Sequence, residues 1–82
     1  MVTISYTDEA LKQLKRIGPS ELKKAKRKIL TLAENPLSGK LLQGELAGKR
    51  SLRAWPLRII YEFSSPYEII KILDVDYRGQ VY

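Results

Sequence analysis

The spacing of apolar residues predicts one strand followed by two helices in the first part of the chain. Residues 2–6 alternate apolar side chains with hydroxyl-bearing ones, which is typical of a half-buried strand. Apolar residues then recur at helical spacing in two successive segments, so each segment has one face to bury. The first face contains Ala10, Leu11, Leu14 and Ile17, and the second contains Leu22, Ala25, Ile29, Leu32 and Ala33.

Capping and breaking residues predict where the two helices begin and end. Thr7 is placed to cap the first helix, and Gly18-Pro19 ends it, with the glycine at the position after the C-cap. Ser20 is the expected cap of the second helix, which Asn35-Pro36 ends. The two helices therefore form a hairpin.

The second half of the chain predicts a glycine-containing loop and three strands. The loop spans residues 37–48, and we expect Leu41, Leu42 and Leu46 to attach it to the core. The turn residues Ser64-Ser65-Pro66 join the last two strands as a hairpin. The expected strands span residues 50–55, 57–63 and 67–75.

The residue alternation assigns faces to the last two strands. In the run 57–63, Leu57, Ile59, Tyr61 and Phe63 share one face, and Arg58, Ile60 and Glu62 share the other. The run 69–73 is apolar on both sides, as in a central strand covered on both faces. The chain is therefore predicted to be an α+β domain of order β-α-α-β-β-β, with its helices on a mainly antiparallel sheet.

Length and composition restrict the class of protein. Eighty-two residues fit a single domain, 1–82, and no apolar run approaches the ~20 residues that cross a bilayer, so no membrane association is expected. The lack of cysteine excludes disulfides and agrees with a cytoplasmic location. Without histidine or cysteine, a zinc site is not expected, and we predict no metal or other cofactor. Proton transfer would then need Asp, Glu, Lys, Tyr or a chain end.

The net charge of +6 favours polyanions, although it also fits an ordinary soluble surface. Lys23, Lys24, Lys26, Arg27 and Lys28 form a cluster on the second helix, where a solvated face is the simplest interpretation. Lys49, Arg50, Arg53 and Arg58 form a cluster on the predicted sheet, where strands hold arginine forks suited to phosphate. A structural Arg58–Glu62 pair is the alternative interpretation.

The last six residues, Tyr77-Arg78-Gly79-Gln80-Val81-Tyr82, allow two interpretations. They could form an edge strand whose tyrosines pack on the sheet. They could also bring Arg78 and Tyr82 beside Arg53 and Arg58 on one concave face. Nearby arginines favour the phenolate of a tyrosine, so Tyr82 is a candidate base in a chain without histidine.

Two segments resemble the RelE/ParE toxin superfamily. Leu52-Arg53-Ala54 followed by Leu57-Arg58-Ile59-Ile60-Tyr61-Glu62 resembles the family core "RLR…YRVIYE", and residues 75–82 resemble its closing "VGHRREVY". The resemblance extends over essentially the whole chain. It implies a microbial-RNase-like α+β fold and a cognate antitoxin as partner. RelE-like members cleave mRNA in the ribosomal A site without a metal, whereas ParE-like members inhibit DNA gyrase.

The resemblance to RelE-like members implies a catalytic set. It consists of Lys49, Arg58, Arg78 and Tyr82, in which Tyr82 would take a 2′ proton. Arg53 completes the predicted catalytic residues, because Arg50 or Arg53 could replace the charge of a lysine that is absent here. Ser51 stands where these members carry a second lysine, and Trp55-Pro56-Leu57 replaces a frequent Gly-Asp-Tyr, which implies weak or differently tuned turnover. The expected RNA-binding residues are Arg50, Trp55 and Tyr77, the last in place of the family's usual histidine.

Overall fold

A computed structural model of the chain describes residues 2–77 and contains two helices on one face of a five-stranded sheet. The elements in chain order are β1 (Thr3–Tyr6), α1 (Asp8–Arg16), α2 (Pro19–Glu34), β2 (Lys40–Leu41), a 3-10 turn (Gly44–Leu46), β3 (Arg50–Ala54), β4 (Leu57–Ser64) and β5 (Ile69–Tyr77). The strand order is β1-β5-β4-β3-β2; β1 and β5 are parallel, and the other neighbours are antiparallel. The predicted α+β class is confirmed, and β2 is an addition within the expected loop.

The two helix starts show one correct prediction and one wrong one. Thr7 caps α1 as predicted, because its Oγ1 accepts a hydrogen bond of 3.1 Å from the backbone N–H of Ala10. The prediction that Ser20 caps α2 is wrong, since α2 begins at Pro19 with Gly18 as its N-cap. Proline suits the first helical position because its fixed φ is already helical and it lacks an N–H that would need a partner.

Gly18 ends α1 for a different reason from the one the sequence suggested. Its φ is −63°, so it does not occupy the left-handed conformation that usually selects glycine after a helix. The backbone is already extended at the C-cap Ile17, and Pro19 opens the next helix immediately. The tight link between the helices therefore needs no left-handed residue.

The core lies between the helices and the sheet, and β4 presents the predicted face to it. Two residues expected in the core, Leu11 and Ala33, are exposed, so those predictions are wrong. Each follows a buried residue by one position, and 100° of helical rotation turns it away from the flat sheet. The buried core residues are Ala10, Ile17, Ala25, Ile29, Leu32, Ala54, Leu57, Ile59, Tyr61, Ile70, Ile72 and Val75, with Leu14, Leu22 and Phe63 packed against them.

Strand β5 is central, as predicted, but only one of its faces is covered within the described residues. Ile69 and Lys71 are exposed because α1 and α2 both lie on the other face. The pairing of β4 with β5 also contains a bulge: Tyr61 is opposite Ile72, whereas Ile60 is opposite Asp74. Leu73 is thus an extra residue on β5.

Hydrogen bonds, rather than leucines, hold the segment after α2. Leu41 is 53% exposed, and neither Leu42 nor Leu46 belongs to the core, so the predicted attachment by leucines is wrong. The buried Tyr61 hydroxyl accepts a hydrogen bond from the Gly39 N–H (2.9 Å) and donates one to the Pro36 carbonyl (2.7 Å). A Cβ on Gly39 would lie 2.7 Å from that hydroxyl, so this close approach requires glycine.

Candidate nucleic-acid interface

Two arginines lie side by side on the sheet face that points away from the helices. Arg53 of β3 and Arg58 of β4 are direct cross-strand partners, so their side chains share a face. Their strand neighbours in register, Leu52 and Ile59, pack toward the helices, which fixes the arginines on the open face. Cross-strand like charges repel each other, so this pair favours an anion between or above the two guanidinium groups.

The orientation of Arg58 is set by a chain of polar contacts from α1. Arg58 Nη2 lies 3.8 Å from Asp74 Oδ2, and its side chain is 17% exposed. The other oxygen, Asp74 Oδ1, accepts a hydrogen bond of 2.5 Å from Gln13 Nε2. Gln13 Oε1 in turn accepts a 2.9 Å hydrogen bond from the Val75 backbone N–H. A helix residue and two β5 residues therefore position the central arginine.

Gln13 can reach β5 because β1 stops short. The parallel pairing of β1 with β5 ends at Tyr6 and Ile72, so the β5 edge beyond that point has no strand beside it within the described residues. The Gln13 side-chain amide bonds to this edge in place of a strand. Gln13 was missed in the sequence because it shows no motif there and lies 61 positions from Asp74.

Carboxylates of β5 also face this surface, which the sequence order conceals. Asp76 is the cross-strand partner of Arg58, and Lys71 is the partner of Glu62. Among residues 2–77, Arg58 forms an ion pair with Asp74, rather than the pair with Glu62 that the alternative interpretation expected. The open face thus has a cationic side on β3 and a mixed side on β5. Ile60, 4% exposed, is buried between them.

The predicted cations divide between the two faces of β3. Ser51 and Arg53 are on the open face, and the backbone pairing continues to Lys49, whose carbonyl accepts a 2.8 Å hydrogen bond from the Leu42 N–H. Strand alternation therefore places Lys49 on the open face as well. Arg50 points the other way, and its Nη1 donates to the carbonyls of Gly39 (2.9 Å) and Leu37 (3.3 Å). Arg53 and Arg58 thus lie side by side, Lys49 lies farther along the same face just before β3, and Arg50 is on the other face.

The two aromatic candidates lie at the end of the sheet near the β3–β4 turn. Trp55 is in that turn and is 65% exposed, so it is not a core residue. Tyr77 is 37% exposed and is the cross-strand partner of Leu57, which puts it on the helix side of the sheet, away from Arg58. The predictions for Arg78 and Tyr82 fall outside the described residues.

Within residues 2–77, no group of three or more histidine, cysteine, aspartate or glutamate side chains is placed to hold a metal ion. In the same range, neither helix is both long and apolar enough to span a bilayer.

Comparisons with known proteins define the class of this domain. A chain of the RelBE2 toxin–antitoxin complex from Mycobacterium tuberculosis superposes with a TM-score of 0.87 at 32% identity, covering 94% of this chain and 98% of that one. The YoeB/ParE toxin from Agrobacterium tumefaciens gives a TM-score of 0.82 at 18% identity over 94% and 99% of the two chains. A chain of the intact RelBE complex of E. coli gives a TM-score of 0.80 at 16% identity, covering 98% of this chain and 100% of that one. At these two lower identities, the likeness shows the fold alone.

The fold is therefore that of the small RelE-like toxins. Residues 4–82 match the model of the ParE toxin of type II toxin–antitoxin systems, parDE. No curated protein sequence matches the chain. The chain belongs to the ParE toxin family, within the RelE/ParE superfamily of type II toxin–antitoxin toxins.

Proposed function

We propose that this toxin is a metal-independent endoribonuclease that cleaves mRNA on the ribosome. The observation that carries the proposal is the Arg53–Arg58 pair on the open face, with Arg58 oriented through Asp74 and Gln13. Preorganised cations at the point where charge develops are the main requirement for cleaving a phosphodiester without a metal. The family likeness supports this function, because RelE-like members act on mRNA.

The reaction would be an attack by the RNA 2′-OH on the adjacent phosphorus. The bond from O2′ to phosphorus forms, the bond from phosphorus to O5′ breaks, and the product carries a 2′,3′-cyclic phosphate. Tyr82 would take the 2′ proton. Arg58, with Arg53 and Lys49, would stabilise the negative charge of the phosphorane. Arg78 would assist the leaving 5′ oxygen electrostatically while water supplies its proton, because a guanidinium is a poor acid.

Ser51 limits the expected rate. Strand alternation puts it on the open face between Lys49 and Arg53, where the resemblance expects a second lysine. Arg50 cannot replace that charge from its position on the other face, where it binds two loop carbonyls. We therefore expect slower turnover than in a toxin with both lysines. The variant Ser51→Lys should raise the cleavage rate.

The test is cleavage of mRNA in a purified translation system by the wild type and by Arg58→Ala. Losing one preorganised donor typically lowers a rate by about 10²–10³-fold, and we expect a loss of that size. Lys71→Ala is the matched control, because it removes a cation of β5 from the open face of the sheet without changing the arginine pair. Circular dichroism checks that each variant is folded. Full cleavage by folded Arg58→Ala would refute the site assignment.

Inhibition of DNA gyrase is the second candidate function, because the matching family model is that of ParE toxins. Expression in bacteria separates the two functions. Gyrase inhibition induces the DNA-damage response and filamentation, whereas mRNA cleavage stops protein synthesis at once. A DNA-damage response without loss of translation would favour the ParE-like function over the proposed one.

We also propose that a cognate antitoxin binds this chain, since the RelBE2 relative is a toxin–antitoxin complex. Two leucines support such an interface, because Leu30 on α2 is 66% exposed and Leu41 on β2 is 53% exposed. An amphipathic helix or an added strand would cover such surfaces. Co-expression with the product of the adjacent gene, followed by co-purification, tests this. Toxicity that the adjacent gene does not relieve would count against it.

A further inference from the structure

A second cationic surface lies beside the β3–β4 turn, apart from the Arg58 contacts. Three of its residues, Lys24, Arg27 and Lys28, occupy positions i, i+3 and i+4 of α2, so they share one side of that helix. All three are exposed. They border a surface pocket of about 490 Å³ that is lined by Lys24, Arg27, Lys28, Arg53, Ala54 and Trp55.

The charge of this pocket is one-sided. Four of its six lining residues are cations, and none of these described lining residues is acidic. The sequence alone favoured a solvated helix face for the α2 cluster. The structure, however, brings part of that cluster up to Arg53, from a strand 25 positions or more along the chain. Grouped like charges repel each other, and a bound polyanion relieves that repulsion while releasing its counterions.

Trp55 indicates which polyanion fits. Trp55 is 65% exposed in a turn between two paired strands, and it lines the same pocket as the cations. An exposed aromatic face beside phosphate-binding cations is the combination that binds single-stranded nucleic acid, where each base offers a flat face for stacking. An acidic peptide would satisfy the cations but would leave the indole face without a flat partner.

We propose that this pocket is a second RNA-binding subsite. An unpaired base stacks on Trp55, while Arg27 and Lys28 of α2 bind the flanking phosphates. The choice of RNA rests on the proposed function. Arg53 belongs to both surfaces, since it lines the pocket and is the cross-strand partner of Arg58. The subsite therefore holds one segment of the same RNA strand whose phosphate lies at Arg58.

The chain offers a direct probe, because Trp55 is its only tryptophan. A short 2′-O-methyl oligouridylate is titrated into the toxin, and tryptophan fluorescence is recorded. This RNA has no free 2′-OH, so the proposed reaction cannot cleave it. Stacking on the indole should quench the fluorescence in a saturable way. No quenching at RNA concentrations that saturate binding by anisotropy would overturn the proposal.

Two pairs of charge reversals test the cations. Arg27→Glu with Lys28→Glu changes the pocket, while Lys23→Glu with Lys26→Glu alters net charge equally on exposed α2 positions outside it. The pocket pair should lower the affinity for the RNA and reduce the slope of log K against log salt by about 1.4 (two phosphate contacts at ~0.7 each). The control pair should change the slope less. Equal effects of the two pairs would show a general electrostatic field and overturn the subsite.

Trp55→Leu should weaken binding of fluorescently labelled RNA by about 5- to 150-fold, the range expected for loss of one stacked base. Unchanged affinity would overturn the stacking. These experiments distinguish failure of the subsite from failure of the proposed function. RNA cleavage that depends on Arg58, with no quenching of Trp55, would leave the nuclease standing and remove the subsite. Quenching and pocket-specific binding without any cleavage would support the subsite and refute the nuclease function.

Discussion

Replacing Tyr61 by phenylalanine should destabilise the protein far more than the loss of one surface hydroxyl would. The Tyr61 side chain is fully buried under the helices, and its hydroxyl is the shared partner of Gly39 and Pro36. Phenylalanine keeps the ring packing but removes both hydrogen bonds. The buried Gly39 N–H then has no partner from this side chain, and the segment between α2 and β2 loses its hydrogen bonds to β4, keeping those that Arg50 donates from β3.

The expected loss follows from these two bonds. A buried donor left without a partner costs about 1–3 kcal/mol, and the bond to the Pro36 carbonyl adds about 1 kcal/mol. The sum is about 2–4 kcal/mol, or a fall in Tm of roughly 10–25 °C for a domain of this size. Urea denaturation followed by circular dichroism measures the free energy of unfolding. Tyr67→Phe is the matched control, because Tyr67 is 76% exposed. If Tyr61→Phe and Tyr67→Phe lowered the free energy of unfolding by the same small amount, the Tyr61 hydroxyl would not stabilise the segment between α2 and β2.

Three further predictions concern caps, positioning and pH. Thr7→Ala should lower the free energy of unfolding by about 1 kcal/mol in the same denaturation assay, because the N-cap hydrogen bond is lost, whereas Thr7→Ser should retain most of it. Asp74→Asn should slow RNA cleavage about 10- to 100-fold by misplacing Arg58, and should have no further effect in an Arg58→Ala background; additive losses in kinetic assays would contradict this positioning role. Burial raises the pKa of Tyr6 above its ordinary value. The folded state therefore keeps this proton to higher pH than the unfolded state, and stability falls as pH rises above about 10. Tyr6→Phe should remove that part of the alkaline loss, and identical pH–stability curves for the two proteins would refute it.

Features that depend on local spacing were predictable from the sequence. The alternation in β4 correctly assigned Leu57, Ile59 and Tyr61 to the core and Arg58 to the open face. The helix end at Asn35 was also predictable, because proline at the next position cannot extend the helix in the usual way. Where two local signals competed, the choice failed: Pro19 and Ser20 both suit a helix start, and proline at the first position prevailed.

Features that depend on distant pairing were not predictable. The contact between Gln13 and Asp74 exists only because β1 ends opposite Ile72 and leaves the β5 edge to a helix side chain. The carboxylate of Asp76 faces Arg58 through the register of β4 with β5, which no nearby residue specifies. The run of charge in the sequence therefore overstated how uniformly cationic the open face is.

The extra residue Leu73 shifts the two-residue alternation of β5 by one position. Core residues before it are spaced by two, at Ile70 and Ile72, and the next one, Val75, follows after three. If Leu73 instead paired regularly with Ile60, without the bulge, Asp74 would turn toward the helices and Val75 toward the open face. In the sequence, the bulge therefore appears as core residues spaced by two positions and then by three. It allows one strand to supply apolar side chains to the core at both ends and still place a carboxylate beside the central arginine.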